Sequence, residues 1–255
     1  MARPRHAPQR TLRLLSANIQ AGARTDGFGQ YVTRSVSHLL PSSSKQVNLD
    51  NVAGHLEGFD LVGLQEADPG SLRSGFINQT HYLAELAQFP FWSHQPNRRV
   101  GPIATSANAL LARVEPAEVR DYPLPGPVRG RGVLWARFNG SLEGLTVMIA
   151  HLSLGRGARL SQLAFLGELA QDARHAVLMG DFNCEADAPE MRAFFDRSVF
   201  KPPAERLATF PSWQPRRAID HILVTEHVEV ARRWSLPELA SDHLATAAEI
   251  HLPHD

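Results

Sequence analysis

Short apolar runs that end on a polar residue recur along this chain. Ala176-Val177-Leu178-Met179 is uninterrupted and reads as a strand buried on both faces. Gly180 follows, where a bare backbone admits close approach of another backbone or a ligand. Asp181 and Asn183 then stand two apart, which strand alternation would put on one face, although Asp and Asn also close strands by an Asx-turn. Asp60–Gln65 is a second such run and exits on Glu66. Leu145–Ala150 is a third and exits on His151. Thr11–Ala17 ends on Asn18. Further strands are expected at Phe91–His94, Ser106–Arg113, Val133–Phe138, Ala218–Val224, Val228–Leu236 and Leu244–Leu252, with a hairpin turn at Gly140–Gly144. Period 3.6 marks helices at Leu49–Glu57, Gln79–Gln88 and, most clearly, Gly155–Asp172, where Leu160, Leu163, Ala164, Leu166 and Leu169 form the apolar stripe. Asp187-Ala188-Pro189-Glu190 has the look of a capping box opening a helix to about Phe195. The segment Tyr31–Leu40 suggests a short helix inside a long polar insertion, Gln20 to about Asn48, and insertions of that length are more often functional or mobile than idle. No period repeats. The mixture of meander-like strands and helix-separated strands predicts one domain over residues 11–255, two sheets packed together with helices outside, after a loose basic tail at residues 1–10.

Composition narrows the picture modestly. The 255 residues are 43% hydrophobic and 20% charged, as in a globular protein. Lys+Arg and Asp+Glu number 26 each, which argues mildly against affinity drawn from a large basic face, though a local basic cleft is compatible. Cys184 is the single cysteine, which excludes an internal disulfide and fits a reducing compartment; a cytoplasmic location is the expectation. Leu12–Leu15 is short and interrupted by Arg13, unlike a signal sequence, and no run is long enough to span a membrane.

The chemistry gathers at the predicted strand ends: Asn18, Glu66, His151, Asp181, Asn183, Asp220, Asp242 and His243. Each alone is an ordinary turn former or packed polar group. As an ordered set, Ser16-Ala17-Asn18-Ile19, Leu64-Gln65-Glu66, Ala150-His151-Leu152, Gly180-Asp181-Phe182-Asn183, Ile219-Asp220-His221 and Ser241-Asp242-His243 resemble the endonuclease/exonuclease/phosphatase superfamily, from about Leu12 to Leu252. The resemblance implies a DNase-like α/β fold: a four-layer α/β sandwich of two packed, mainly antiparallel sheets flanked by helices. It implies a metal-dependent phosphoesterase that attacks a phosphodiester in line with an activated water. An anionic phosphoester needs its charge neutralised, a nucleophile oriented and a leaving oxygen assisted.

The resemblance distributes those roles. Glu66, Asn18 and Asp242 would hold Mg²⁺, with Mn²⁺ an alternative; hard oxygen donors suit either. Asp181 would orient or deprotonate water. Asn183 and His151 would donate to the phosphate. His243, with Asp220 accepting from its other ring nitrogen, would stabilise charge there. Asn108, Arg131 and Arg217 are candidate substrate contacts, Asn108 being equally explained as a buried amide satisfying backbone. His221 and Cys184 read as packing. The partner is a phosphodiester, and nucleic acid or a phospholipid head group both remain open. Arg98-Arg99, Arg129-Gly130-Arg131 and Arg216-Arg217, with Trp92 and Trp213, could serve a nuclease. The Gln20–Asn48 insertion and the Tyr122–Gly132 loop could shape a lipid pocket. A phosphatase stands as a further alternative. Lys45 and Lys201 are the only lysines, which disfavours a highly phosphorylated inositol, and a non-catalytic binding module is the least favoured reading because no proposed catalytic position is replaced.

Overall fold

The computed structural model describes residues 10–20, 43–100, 104–127, 130–142, 144–236, 239 and 241–253. In chain order these form β1 (Arg10–Asn18), α1 (Ser43–Leu56), β2 (Leu61–Ala67), α2 (Gln79–Leu86), β3 (Phe91–Val100), β4 (Ala104–Ala112), β5 (Glu118–Pro123), β6 (Gly132–Arg137), β7 (Leu145–His151), α3 (Arg156–Ala170), β8 (His175–Asp181), α4 (Pro189–Phe195), β9 (Asp220–Val224), β10 (Glu229–Leu236) and β11 (Ala245–Leu252). Of the tail expected at residues 1–10, residues 1–9 lie outside the described residues, as does the helix expected at Tyr31–Leu40; Arg10 instead belongs to β1, where it pairs with Leu252.

Two sheets result. One has the order β10-β11-β1-β2-β4-β3 and the other β5-β6-β7-β8-β9. Every neighbouring pair is antiparallel except β1 with β2 and β7 with β8. That exception positions the site: a parallel pair sends both carboxyl ends to one edge, so Asn18 and the Gln65-Glu66 step emerge together from one sheet, and His151 and Asp181 from the other.

The strands stack as the apolar periodicity requires. Leu12, Leu14, Leu61, Val147, Ile149, Val177, Met179 and Ile250 meet between the sheets. The alternate positions Leu15, Ala17, Val62 and Leu64 pack instead with Leu49, Val52, Leu56 and Leu83 of α1 and α2. On the far side Met148, Ala150 and Leu178 pack with Leu163, Leu166 and Phe194 of α3 and α4. The order is helix, sheet, sheet, helix, the expected four layers.

Three local expectations change. Helix α1 starts at Ser43, six residues before the expected Leu49; its first turns expose Gln46 and Val47, so no apolar stripe marks them. Strand β5, which no apolar run predicts, takes in the first two residues of the Tyr122–Gly132 loop; it is a mostly exposed edge whose pattern lacks alternation. The capping box is absent: Ala188 caps α4 without a side-chain bond and Pro189 starts the helix. Glu190 turns inward instead, where Arg159 donates to its Oε1 at 2.6 Å.

Candidate active site

The register builds the site row by row. In the five-stranded sheet, His151 of β7 pairs with Asp181 of β8, and Asp181 pairs with Asp220 of β9. Three chemically active residues thus lie abreast on adjacent strands. The approach of β7 to β8 depends on Gly180: its φ is +148°, and a Cβ there would fall 1.8 Å from the Ala150 carbonyl oxygen.

From the other sheet, Asn18 Nδ2 donates to Asp181 Oδ2 at 3.3 Å, while Asn18 Oδ1 accepts from the Gln20 amide at 3.1 Å. Glu66 reaches the same edge by a different device. The β2–β4 register slips between Leu64 and Ala67, and Glu66 has φ +57°. A left-handed residue in a bulge re-aims a side chain that strict alternation would carry elsewhere.

The expectation that alternation alone brings Asp181 and Asn183 to one face needs correction. β8 stops at Asp181, and Asn183 has φ +55°. The Asn183 amide N–H donates to Asp181 Oδ1 at 2.9 Å, an Asx-turn that bends the chain and gathers both side chains at the exit. Turn and site are one structure here.

His243 arrives on the loop before β11. Its Nδ1 contacts Asp220 Oδ2 at 2.9 Å and Oδ1 at 3.0 Å. Its Nε2 lies 3.9 Å from Asp181 Oδ2, and His151 Nε2 lies 3.4 Å from the same oxygen. Asp181 Oδ2 is therefore the point on which Asn18, His151 and His243 converge. Two residues not singled out from sequence complete the support. Thr209 Oγ1 donates to Asp220 Oδ2 at 2.5 Å, and the Phe210 ring packs 4.8 Å from the His243 ring. The Thr209-Phe210 step could have been noticed only as a polar–aromatic pair ahead of a proline, a weak signal.

Burial and charge sort these groups. Burial, then the Asp220 charge, push the Asp181 carboxyl up to about 7, with Glu66 adding to the rise. Burial by itself would depress His243, but Asp220, Asp181 and Asp242 outweigh it and lift the imidazole to about 10, so it is an imidazolium at neutral pH. His151 goes the other way: burial, Arg131 and His243 hold it well below the usual value, and it is neutral. Burial and the Glu66 charge raise Asp242. Chemically the cluster offers a carboxylate poised near neutrality, a fixed cation, a neutral ring and an excess of negative charge.

That excess tests whether a divalent cation fits. Glu66, Asp242 and the Asn18 carboxamide oxygen are hard oxygen donors, and the Glu66 charge that helps raise Asp181 and Asp242 is what a bound cation would offset. The tighter trio Asp181, Asp220 and His243, with ligand atoms within 4.8 Å of one another, fits less well. His243 as an imidazolium has no lone pair to give, and Asp220 is already engaged by His243 and Thr209.

The remaining candidates separate. Arg131, half-buried, is close enough to His151 to depress it. The Arg217 guanidinium sits 6.0 Å from the Phe210 ring centre, one ring removed from His243. Asn108 is fully buried between the sheets, where Nδ2 donates to Gly132 O at 2.7 Å and Ile149 O at 3.2 Å. His221 packs edge-on against Phe182 and bonds the Cys184 carbonyl at 2.9 Å, and Cys184 is buried. Trp92 stacks between His81 and His94.

A family model described as the Endonuclease/Exonuclease/phosphatase family matches residues 15–243. The chain belongs to this family. Members of the family are hydrolases of phosphoesters and generally depend on divalent metals. Solved relatives share the fold at low identity. A family member from Beutenbergia cavernae has a TM-score of 0.73 and 22% identity, covering 96% of this chain and 72% of its own. A mannosyl-6-phosphatase from Bacteroides thetaiotaomicron has 0.69 and 20%, covering 94% and 99%. ANGEL2, a 2′,3′-cyclic phosphatase, has 0.68 and 15%, covering 96% of each chain. No protein of curated function matches the sequence. Among the described residues no helix is long and apolar enough to cross a membrane.

Proposed function

We propose that this endonuclease/exonuclease/phosphatase-family protein is a divalent-cation-dependent phosphodiesterase. The observation that carries the reading is the convergence of Asn18, His151 and His243 on Asp181 Oδ2, beside the acids Glu66 and Asp242. Glu66, Asp242 and Asn18 would hold Mg²⁺ or Mn²⁺, which when bound supplies Lewis-acid charge against the phosphate. Asp181, held by Asn18 and by the Asn183 amide, accepts the proton of the attacking water. His243, kept protonated and oriented by Asp220, stabilises the phosphate oxygens as charge builds. Neutral His151 and the second N–H of Asn183 Nδ2 donate to the same phosphate. Arg131 and Arg217 bind substrate beyond the reacting atoms. Asn108, whose amide is engaged by β6 and β7, acts as a strut between the sheets and not as a substrate contact.

The ordered motifs carry the diester reading, and comparison with a monoester tests it. A nucleic-acid diester is the second reading, favoured by the exposed Arg217 beside Phe210 at the His243 side of the site.

Metal-stripped protein should hydrolyse bis(p-nitrophenyl) phosphate only when Mg²⁺ or Mn²⁺ is restored, faster than p-nitrophenyl phosphate, and His243→Ala should abolish the activity. Turnover of the monoester alone would overturn the diester assignment.

A further inference from the structure

Beyond the residues that meet the phosphate, a second tier holds them. The connection from β7 to α3, Leu152-Ser153-Leu154-Gly155, follows His151 directly. Its polar groups are taken by two buried side chains of α3 that stand three apart on one helix face. Gln162 Oε1 accepts from the Ser153 amide at 2.9 Å, and Gln162 Nε2 donates to Ser153 Oγ at 2.9 Å. Arg159 Nη1 donates to Ser153 O at 3.3 Å and also to Leu154 O. Glu190 of α4 balances that guanidinium, accepting from Arg159 Nε at 3.0 Å and from Nη2 at 2.6 Å. Gln162 is 0% exposed and Glu190 2%. Buried polar groups this fully engaged specify one geometry for the backbone they hold.

The clamped segment leads straight to the site. The Leu152 amide donates to Asp181 O at 2.9 Å. Leu152 O accepts from Asn183 Nδ2 at 2.9 Å. A carbonyl only accepts, so this bond fixes which end of the Asn183 carboxamide faces Leu152 and leaves one Nδ2 hydrogen for another acceptor.

We propose that Gln162 and Arg159, with Glu190 as counter-ion, are positioning residues: by fixing Ser153 they set the Asn183 carboxamide toward the phosphate. The inference rests on the phosphoesterase reading for its consequence but not for its geometry. Misplacing a substrate-positioning group by about 1 Å costs on the order of 10²-fold in rate.

Gln162→Leu keeps the side-chain volume and removes both bonds to Ser153. Its kcat should fall about 10²-fold with KM nearly unchanged. Gln162→Glu should restore most of the rate, because a carboxylate still accepts from the Ser153 amide and the Ser153 hydroxyl can reverse and donate. In an Asn183→Ala background the Gln162→Leu loss should shrink to less than about threefold, since the group being positioned is gone. Equal losses in both backgrounds, or no rescue by Glu, would overturn the proposal. A readout independent of turnover is the Asn183 side-chain amide, observed by NMR hydrogen exchange. Its hydrogen bonded to Leu152 O should be protected in the parent protein and in Gln162→Glu, and exchange fast in Gln162→Leu. Unchanged protection in Gln162→Leu would refute positioning even if the parent hydrolyses no phosphoester, and that silence would count against the proposed function separately.

Discussion

Asp220 shows how one carboxylate is made to serve another residue. It accepts from the His243 ring through both oxygens and from Thr209 Oγ1 through Oδ2. Three contacts on a buried acid leave it no freedom to swing, so His243 inherits a fixed ring plane as well as its charge. Thr209→Val removes the hydroxyl while keeping the shape. We expect kcat to fall by about tenfold, the lower range for residues that orient those doing chemistry, with a small change in thermal stability; an unchanged kcat would mean that His243 alone holds Asp220. His151 illustrates the opposite treatment. Burial, with the Arg131 and His243 charges, holds it neutral. Two histidines near one aspartate oxygen thus carry different charges: nearby acids, Asp220 first, outweigh burial at His243, whereas burial and two cations prevail at His151.

At the level of elements, the parallel pairs β1–β2 and β7–β8 are the devices that matter. Antiparallel neighbours send successive exits to opposite edges; a parallel pair sends them to the same one. The β7–β8 pair comes so close at its end that only glycine fits at position 180. Gly180→Ala would drive a Cβ into the Ala150 carbonyl at 1.8 Å and impose φ +148° on a residue that avoids it. We expect destabilisation above about 3 kcal/mol, or no soluble protein; thermal unfolding within a few degrees of the parent would contradict the close approach. The helices act on the same pair from outside. The pairing of Glu190 with Arg159 shows in the acid stability. Burial opposes the ionised Glu190, but Arg159 outweighs it and the folded carboxyl lies below the ordinary 4.5. Such a group contributes stability that is full above 4.5 and is lost as pH falls from there through the lower folded value. Urea titrations from pH 7 down to 3 should show this loss, and Glu190→Gln, less stable throughout because Arg159 is left unpaired, should show a flatter decline below pH 4.5. Parallel pH profiles for the two proteins would remove Glu190 from the account.

At the scale of the whole molecule, the site belongs to neither sheet. Asn18 and Glu66 come from one, His151, Asp181 and Asp220 from the other, and Asp242 and His243 from the loop entering β11. The sandwich core holds these halves in register, and Asn108 of β4 bonds carbonyls of β6 and β7 across it. Much of this was legible in the chain. Uninterrupted apolar runs ending on Asn18, Glu66, His151 and Asp181 specify buried strands with polar exits, because a strand covered on both faces can carry a charged group only where it leaves the core. The ordered motifs specify the family and, through it, the layered fold. What local pattern could not supply is anything that depends on a partner distant in sequence. Glu190 reads as a capping residue until Arg159 is seen beside it, 31 positions away. Glu66 and Asn183 sit in left-handed backbone that alternation does not foresee. The charges of His151 and His243 are set by burial and by Arg131, Asp181, Asp220 and Asp242, all brought near by the packing of strands and loops. The sequence determined which groups are available for chemistry and at which strand ends they emerge; the tertiary structure alone decided which of them are charged and how they face one another, because electrostatic energy depends on separation and desolvation through space, not on spacing along the chain.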